Sequence, residues 1–158
     1  MSTVLIDEIT RALNTMRETG KVDLSIVNNL EVVANLFKEY KEKWLTARDT
    51  RVSFYFYYAA RNAELVISRI KERFLSSKQV NDNPKIAEDS LQIVGLLGEL
   101  LDLTRKEKPD EAVTKLTIER VRQLRAVAAD TKLVQSDEKE LEDVDKLFQY
   151  RVKHAQFK

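Results

Sequence analysis

The chain has no cysteine, three glycines, two prolines and a single histidine among its 158 residues. Without cysteine there is no disulfide, no thiolate nucleophile and no Cys-based metal set, and an intracellular home is expected, cytoplasmic or, in a eukaryote, nuclear. The lone histidine, His154, leaves any His-based triad resting on one residue near the end of the chain, with nothing beside it to orient it. Its bland reading, a solvated residue, is the better one. No HExxH or other His/Cys metal set exists. Neither GxxxxGK[ST] nor GxGxxG occurs, so no phosphate-cradling loop can be built. The acids at 137–145 lack the spacing and central glycine of a calcium loop, and paired ExxH motifs of the di-iron kind are missing. These absences predict a protein that is not an enzyme and uses no cofactor or metal. No apolar run approaches the ~20 residues that span a bilayer. The start, MSTVLIDEITRAL, carries Asp7 and Glu8 and no basic n-region, so neither a signal peptide nor a membrane partner is expected.

What the chain does have is charge and helix formers. Charged residues make up 34% of it and sum to only +1, but they are unevenly placed. Residues 51–81 carry six basic and two acidic side chains, a balance of +4. Residues 82–109 carry four basic and six acidic, a balance of −2, and DEKELEDVD at 137–145 holds six acids against one Lys. A near-neutral total argues against a chain whose main task is wrapping DNA, since non-specific affinity comes from phosphate neutralisation, so direct DNA contact is expected to be weak or absent. Patches of opposite sign suit a protein that docks onto other proteins.

The rest of the chain is organised around Arg51–Leu75, RVSFYFYYAARNAELVISRIKERFL. It opens with Phe54, Tyr55, Phe56, Tyr57 and Tyr58. At ~100° per residue such a run covers every face of a helix, so that end should be enclosed by neighbours. The pattern then narrows to Phe56, Ala59, Ala63, Val66 or Ile67, Ile70 and Phe74, the buried seam of a bundle helix. The aromatics alone would also suit a strand; the Ala and charged helix formers that follow decide for one long helix.

Before it, a first helix is expected over Val4–Glu18. Thr3 would cap it, Gly20 would take the left-handed position after it, and Ile6, Ile9, Leu13 and Met16 would be its buried row. A second helix, capped by Asp23 or Ser25, runs to about Ala47 with Ile26, Leu30, Val33, Phe37, Tyr40 and Trp44 inward. After the polar stretch 76–84, a further helix reaches about Arg105, with Ile86, Ile93, Leu97 and Leu100 in one row and Val94 and Leu101 beside it. Gly95 and Gly98 there suggest the close approach of a neighbouring backbone. RKEKPD breaks the pattern. Residues 110–129 then read two ways: as a helix with Val113, Thr117, Val121, Leu124 and Ala128 in a row, or as a strand from Leu116 or Ile118 onward, given the β-branched density of VTKLTIERV.

Candidate functional residues follow from chemistry. Tyr55, Tyr57 and Tyr58 beside Arg51 and Arg61 could stack bases and grip phosphates. The better reading makes them core and interface side chains, since aromatics and Arg are enriched at interface centres. A partner interface of Phe54, Tyr55, Tyr57, Tyr58 and Arg61 is therefore expected, with a basic face of Arg69, Lys71 and Arg73 further along.

The order of elements resembles the subunits of the GINS complex, the accessory factor of the archaeal and eukaryotic replicative helicase. The resemblance rests on the V-D link (Val22, Asp23), the central helix YxxARNxExxxxRIKERF from Tyr57 to Phe74, and the following helix AEDSLQIVGLLGELLD. It covers most of the chain, without a catalytic motif to anchor it. The tail lacks the glycines that the family's small module uses in its turns. What it implies is a mainly α chain of the archaeal type: a helical bundle with long antiparallel helices over 1–107, then a linker and small C-terminal module with some β-structure over 108–158. Val121 and Leu124 would match that module's first strand, Asp143-Val144 a central strand, and Leu147 to Ala155 a closing helical turn. The implied role is a non-catalytic scaffold in DNA replication. The chain would join a related GINS-type subunit in a tetramer and bridge the replicative ring helicase and a RecJ-like partner protein at the fork. The alternative is a homo-oligomeric helical-bundle structural or regulatory protein, such as a phage or viral factor, and a third reading is a nucleic-acid adaptor using Arg51–Arg73.

Overall fold

The computed structural model describes residues 2–21, 24–47, 50–76 and 83–133. Among them are the helices α1 (Ser2–Thr19), α2 (Ser25–Leu45), α3 (Thr50–Ser76), α4 (Asn83–Arg105) and α5 (Glu111–Asp130), and no strand. The mainly α expectation holds. The expected central strand at Asp143-Val144, the closing turn at Leu147 to Ala155 and His154 all lie outside the described residues.

Each helix buries the row that its spacing marks out. Ile9, Leu13 and Met16 of α1 are fully enclosed, as are Ile26, Leu30, Val33 and Phe37 of α2, while Ile6 and Tyr40 are half-buried. On α3, Phe56, Ala59, Ala63, Val66, Ile67, Ile70 and Phe74 are buried, and on α4 Ile93, Val94, Leu97, Leu100 and Leu101. A buried Leu or Phe contributes ~1.5–3 kcal/mol by leaving water, far more than helix propensity supplies.

Several contacts fix the directions of the helices. Lys41 pairs with Glu64 at 2.7 Å and Lys71 pairs with Glu31, so α2 and α3 are antiparallel. The Trp44 indole N–H donates to the Thr104 carbonyl at 2.8 Å, bringing the last turns of α2 and α4 together. Ile6 of α1 faces Gly98 near the end of α4. Arg73 Nη2 donates to the Thr131 carbonyl at 2.9 Å, which sets the ends of α3 and α5 side by side. Successive helices therefore alternate in direction. Helices α1 to α4 close a four-helix ring, and α5 lies against α3 and α4.

The segment that reads two ways in the sequence is a helix. Val121 and Leu124, matched to a first strand by the resemblance, are fully buried on α5 together with Thr117 and Ala128. Its threonine hydroxyls are satisfied within the helix: Thr114 Oγ1 donates to the Asp110 carbonyl at 2.9 Å and Thr117 Oγ1 to the Val113 carbonyl at 2.8 Å. Asp110 caps the helix, its carboxylate accepting from the Val113 N–H at 2.8 Å. Ile118, Val121, Leu124, Ala128 and Leu133 share the same hydrophobic core as α1 to α4. That core runs across position 107, where the sequence places a domain boundary; of the expected 108–158 module, 134–158 lies outside the described residues.

Helix ends differ from expectation in detail. Gly20 does adopt the left-handed conformation (φ 74°) after α1. Thr3, however, lies inside the first turn, because α1 begins at Ser2. Ser25 opens α2 rather than capping it, and the cap position is held by Leu24 with no side-chain bond. α5 closes on a six-residue turn: Leu133 N–H donates to the Ala128 carbonyl at 2.8 Å and Lys132 N–H to the Ala129 carbonyl at 3.0 Å, with Lys132 at φ 62°.

Candidate interaction surface

The aromatic run at the start of α3 divides by helical phase. Phe56 points inward, fully enclosed, and stacks on Trp44 with ring centroids 4.7 Å apart and planes 24° from parallel. Tyr55 and Tyr58 are 4% and 1% exposed, so these two are core residues rather than partner contacts. The reason is geometric: positions 55, 56, 58 and 59 all fall on the inward half of a helix that has α2, α4 and α5 around it. Phe54, Tyr57 and Arg61 remain half-buried. Steps of three and four place them on one outward strip of the first turns of α3. Phe54 meets Tyr55 edge-on at 6.2 Å and lies over Tyr58 at 6.4 Å, so the buried tyrosines fix the ring that reaches the surface. Asn62, also buried, donates its amide to the Tyr58 carbonyl at 2.8 Å and ties this turn to the next.

Lys43 closes the same end of the bundle. Its ammonium lies 4.5 Å from the Trp44 ring centre and donates to the Arg105 and Lys106 carbonyls at 3.3 and 3.1 Å, at the C-terminal end of α4. Partial burial lowers its pKa from the ordinary lysine value, and Glu107 acts in the opposite sense.

The expected basic face of Arg69, Lys71 and Arg73 is not one face. Residues two apart on a helix diverge by ~200°. Lys71 leans toward α2, where it pairs with Glu31, whereas Arg69 and Arg73 lie on the α5 side. Arg69 meets Glu72 at 3.4 Å, and Arg73 donates to the neutral Thr131 carbonyl. Sequence reasoning left α5 out of the basic surface; there Arg122 is exposed and Arg125 half-buried. Arg120 itself pairs with Glu99 of α4 at 2.6 Å.

Two grooves accompany these surfaces. One of about 230 Å³ between α2 and α3 is lined by Glu31, Asn35, Lys38, Glu64, Ser68 and Lys71. The other, about 430 Å³ between α4 and α5, is lined by Gln92, Gly95, Leu96, Glu99, Gln123 and Val127. Gly98 explains half of the small-residue pair in α4: a Cβ there would lie 3.2 Å from Ile6 Cγ2. The close neighbour is a side chain, not the backbone. Gly95 faces open space.

Among the described residues no group of three or more His, Asp or Glu side chains is placed to hold a metal ion, and no helix is long and apolar enough to cross a membrane. The fold and surface thus define a helical bundle carrying an aromatic–arginine strip at one end. No known protein family, curated protein or solved structure matches the chain.

Proposed function

We propose that the protein is a non-catalytic scaffold that docks a different protein chain on the outward strip of Phe54, Tyr57 and Arg61. The observation that carries this reading is the strip itself: two aromatic rings and a guanidinium, half-buried, with the Phe54 ring held by Tyr55 and Tyr58. Rigid aromatic and Arg side chains set in a packed surround are the residues that dominate binding energy at protein interfaces. A ring fixed before binding loses little entropy on docking.

The finer reading rests on the resemblance of the central helix and its neighbours to GINS subunits. It makes the chain one member of a GINS-type tetramer that bridges the replicative ring helicase and a RecJ-like partner in the cytoplasm, or in the nucleus of a eukaryote. The test is co-purification of the chain with a related helical subunit and those two partners, using the parent and the pair Tyr57→Ala and Arg61→Ala. Assembly of the parent that is lost in both variants, with helix content unchanged, supports the proposal. Assembly into copies of itself alone favours the homo-oligomeric structural protein. Steeply salt-dependent DNA binding without a protein partner favours the nucleic-acid adaptor.

A further inference from the structure

The α4–α5 groove, about 430 Å³, is a surface that the chain itself can reach. Gly95 lines it, where a Cβ would meet nothing within 4 Å, together with the half-buried Leu96 and Val127. Leu116, 38% exposed, extends the same row of α5 three turns toward the start of that helix. The α2–α3 groove is bordered instead by charges, those of Glu31, Lys38, Glu64 and Lys71. The last turn of α5 lies beside Val127. Leu133 is buried there, its N–H bonded to the Ala128 carbonyl, so the chain leaves α5 at the surface of the bundle rather than running out into solvent.

The sequence that follows has the pattern of something that needs such a groove. Asp137 and Glu140 form the D-x-x-E spacing that opens helices. Acids crowd 137–145, and Arg151 and Lys153 come at the other end, the order that suits a helix dipole. Leu141, Val144, Phe148, Val152 and Ala155 recur at steps of three and four, the apolar stripe of a helix packed on one side. We infer that residues 138–155 form a helix whose apolar row lies in the α4–α5 groove of the same chain, antiparallel to α5. The length fits: such a helix is ~27 Å long, against ~30 Å for the 20 residues of α5. The charge fits as well. Glu119 precedes Leu133 by about as many residues as Arg151 follows Asp137, so the returning helix brings Arg151 level with Glu119. Glu99 and Glu119 share one guanidinium, that of Arg120, at 2.6 and 3.5 Å, which leaves an excess negative charge at that end of the groove. The tether through Leu133 favours this chain's own row over that of a second copy, because it holds the row at a high effective concentration. The proposal replaces the strand that the resemblance implies at Asp143-Val144, and it does not rest on the scaffold reading.

The full chain has no natural cysteine, so engineered pairs report without background. Gly95→Cys is combined in turn with Val144→Cys, Leu147→Cys, Phe148→Cys and Arg151→Cys, four positions that allow for a shift in register. A disulfide closes only where the two Cβ atoms come within ~3.5–4.5 Å. Under mild oxidation at low protein concentration, at least one pair should close within a single chain, seen by mass spectrometry as the loss of two hydrogens. It should close at least about tenfold faster than the same tail cysteine paired with Ser68→Cys, an exposed control in the α2–α3 groove. Equal rates at the two grooves overturn the proposal, and so does the absence of any internal disulfide. Cross-linked dimers alone overturn it too, because they put the row on a second copy. A second measurement tests the helix directly. Val144→Pro should lower the helix signal in circular dichroism and abolish the cross-link from Phe148→Cys, since proline breaks a helix interior. An unchanged helix signal overturns the proposal, as it would if Asp143-Val144 lay in a strand.

Discussion

Replacing Phe56 with Ala probes the centre of the fold. Phe56 is 0% exposed and its ring lies against Trp44, which is itself fixed by the 2.8 Å bond from its indole N–H to the Thr104 carbonyl. Truncation to Ala at a fully buried aromatic costs ~3–5 kcal/mol, including the transfer term and the cavity left behind. Loss of the stacked pair, worth ~0.5–1.5 kcal/mol, is part of that figure. For a chain of this size each kcal/mol lowers the melting temperature by ~2–4 °C, so a fall of about 6–20 °C is expected. Thermal unfolding followed by circular dichroism measures it. Trp44 is the only tryptophan, and its emission should shift to the red in the folded variant as well, because its neighbour is gone. The paired control is Phe54→Ala, on the outward strip, with an expected cost of about 1 kcal/mol or less. If Phe56→Ala melts within a degree or two of the parent, or Phe54→Ala costs more, the assignment of inward and outward faces on α3 is wrong.

Gly95→Ala should stabilise the protein by up to ~1 kcal/mol in urea unfolding, since a Cβ there meets nothing within 4 Å and the helix gains from losing glycine. Gly98→Ala should gain less or lose, because its Cβ must press Ile6 aside; equal gains at both sites would refute the α1–α4 contact. Lys132→Gly should raise the melting temperature slightly, relieving a left-handed residue at φ 62°, and a fall would contradict the turn that closes α5. Ending the chain at residue 107 uncovers the α3 and α4 surfaces under Ile118, Val121 and Leu124, so that fragment should aggregate. A fragment that stays monomeric with a sharp melt would show that α5 is a separable addition.

The helices and their inward rows were legible because the apolar spacing repeats over many turns. The row through Ile26, Leu30, Val33, Phe37 and Trp44, and the row from Phe56 to Phe74, are read directly and are buried. What pattern could not resolve was α5, where Thr114, Thr117, Ile118 and Val121 give equal support to strand and helix. The helix is marked by the Asp110 cap and by the packing of its inward row against α3 and α4, which local propensity does not weigh. The same uncertainty hid the α3–α5 seam. Arg73 can be placed on a flank of α3 by counting residues, but its acceptor, the Thr131 carbonyl, comes 58 positions later. For the aromatic run, enclosure was predictable and its division was not. Tyr55 and Tyr58 turn inward only because α3 has neighbours on three sides, a property of the assembled bundle.

The scaffold account stands most directly on what accompanies the chain in its native setting. Native mass spectrometry of the complex isolated through a tag on this chain, at physiological salt, measures that in one step. The account predicts a hetero-oligomer containing related helical subunits, which falls apart to the single chain when Tyr57 or Arg61 is changed to Ala. A spectrum with the tagged chain alone, or with copies of itself only, in parent and variants alike, would contradict it.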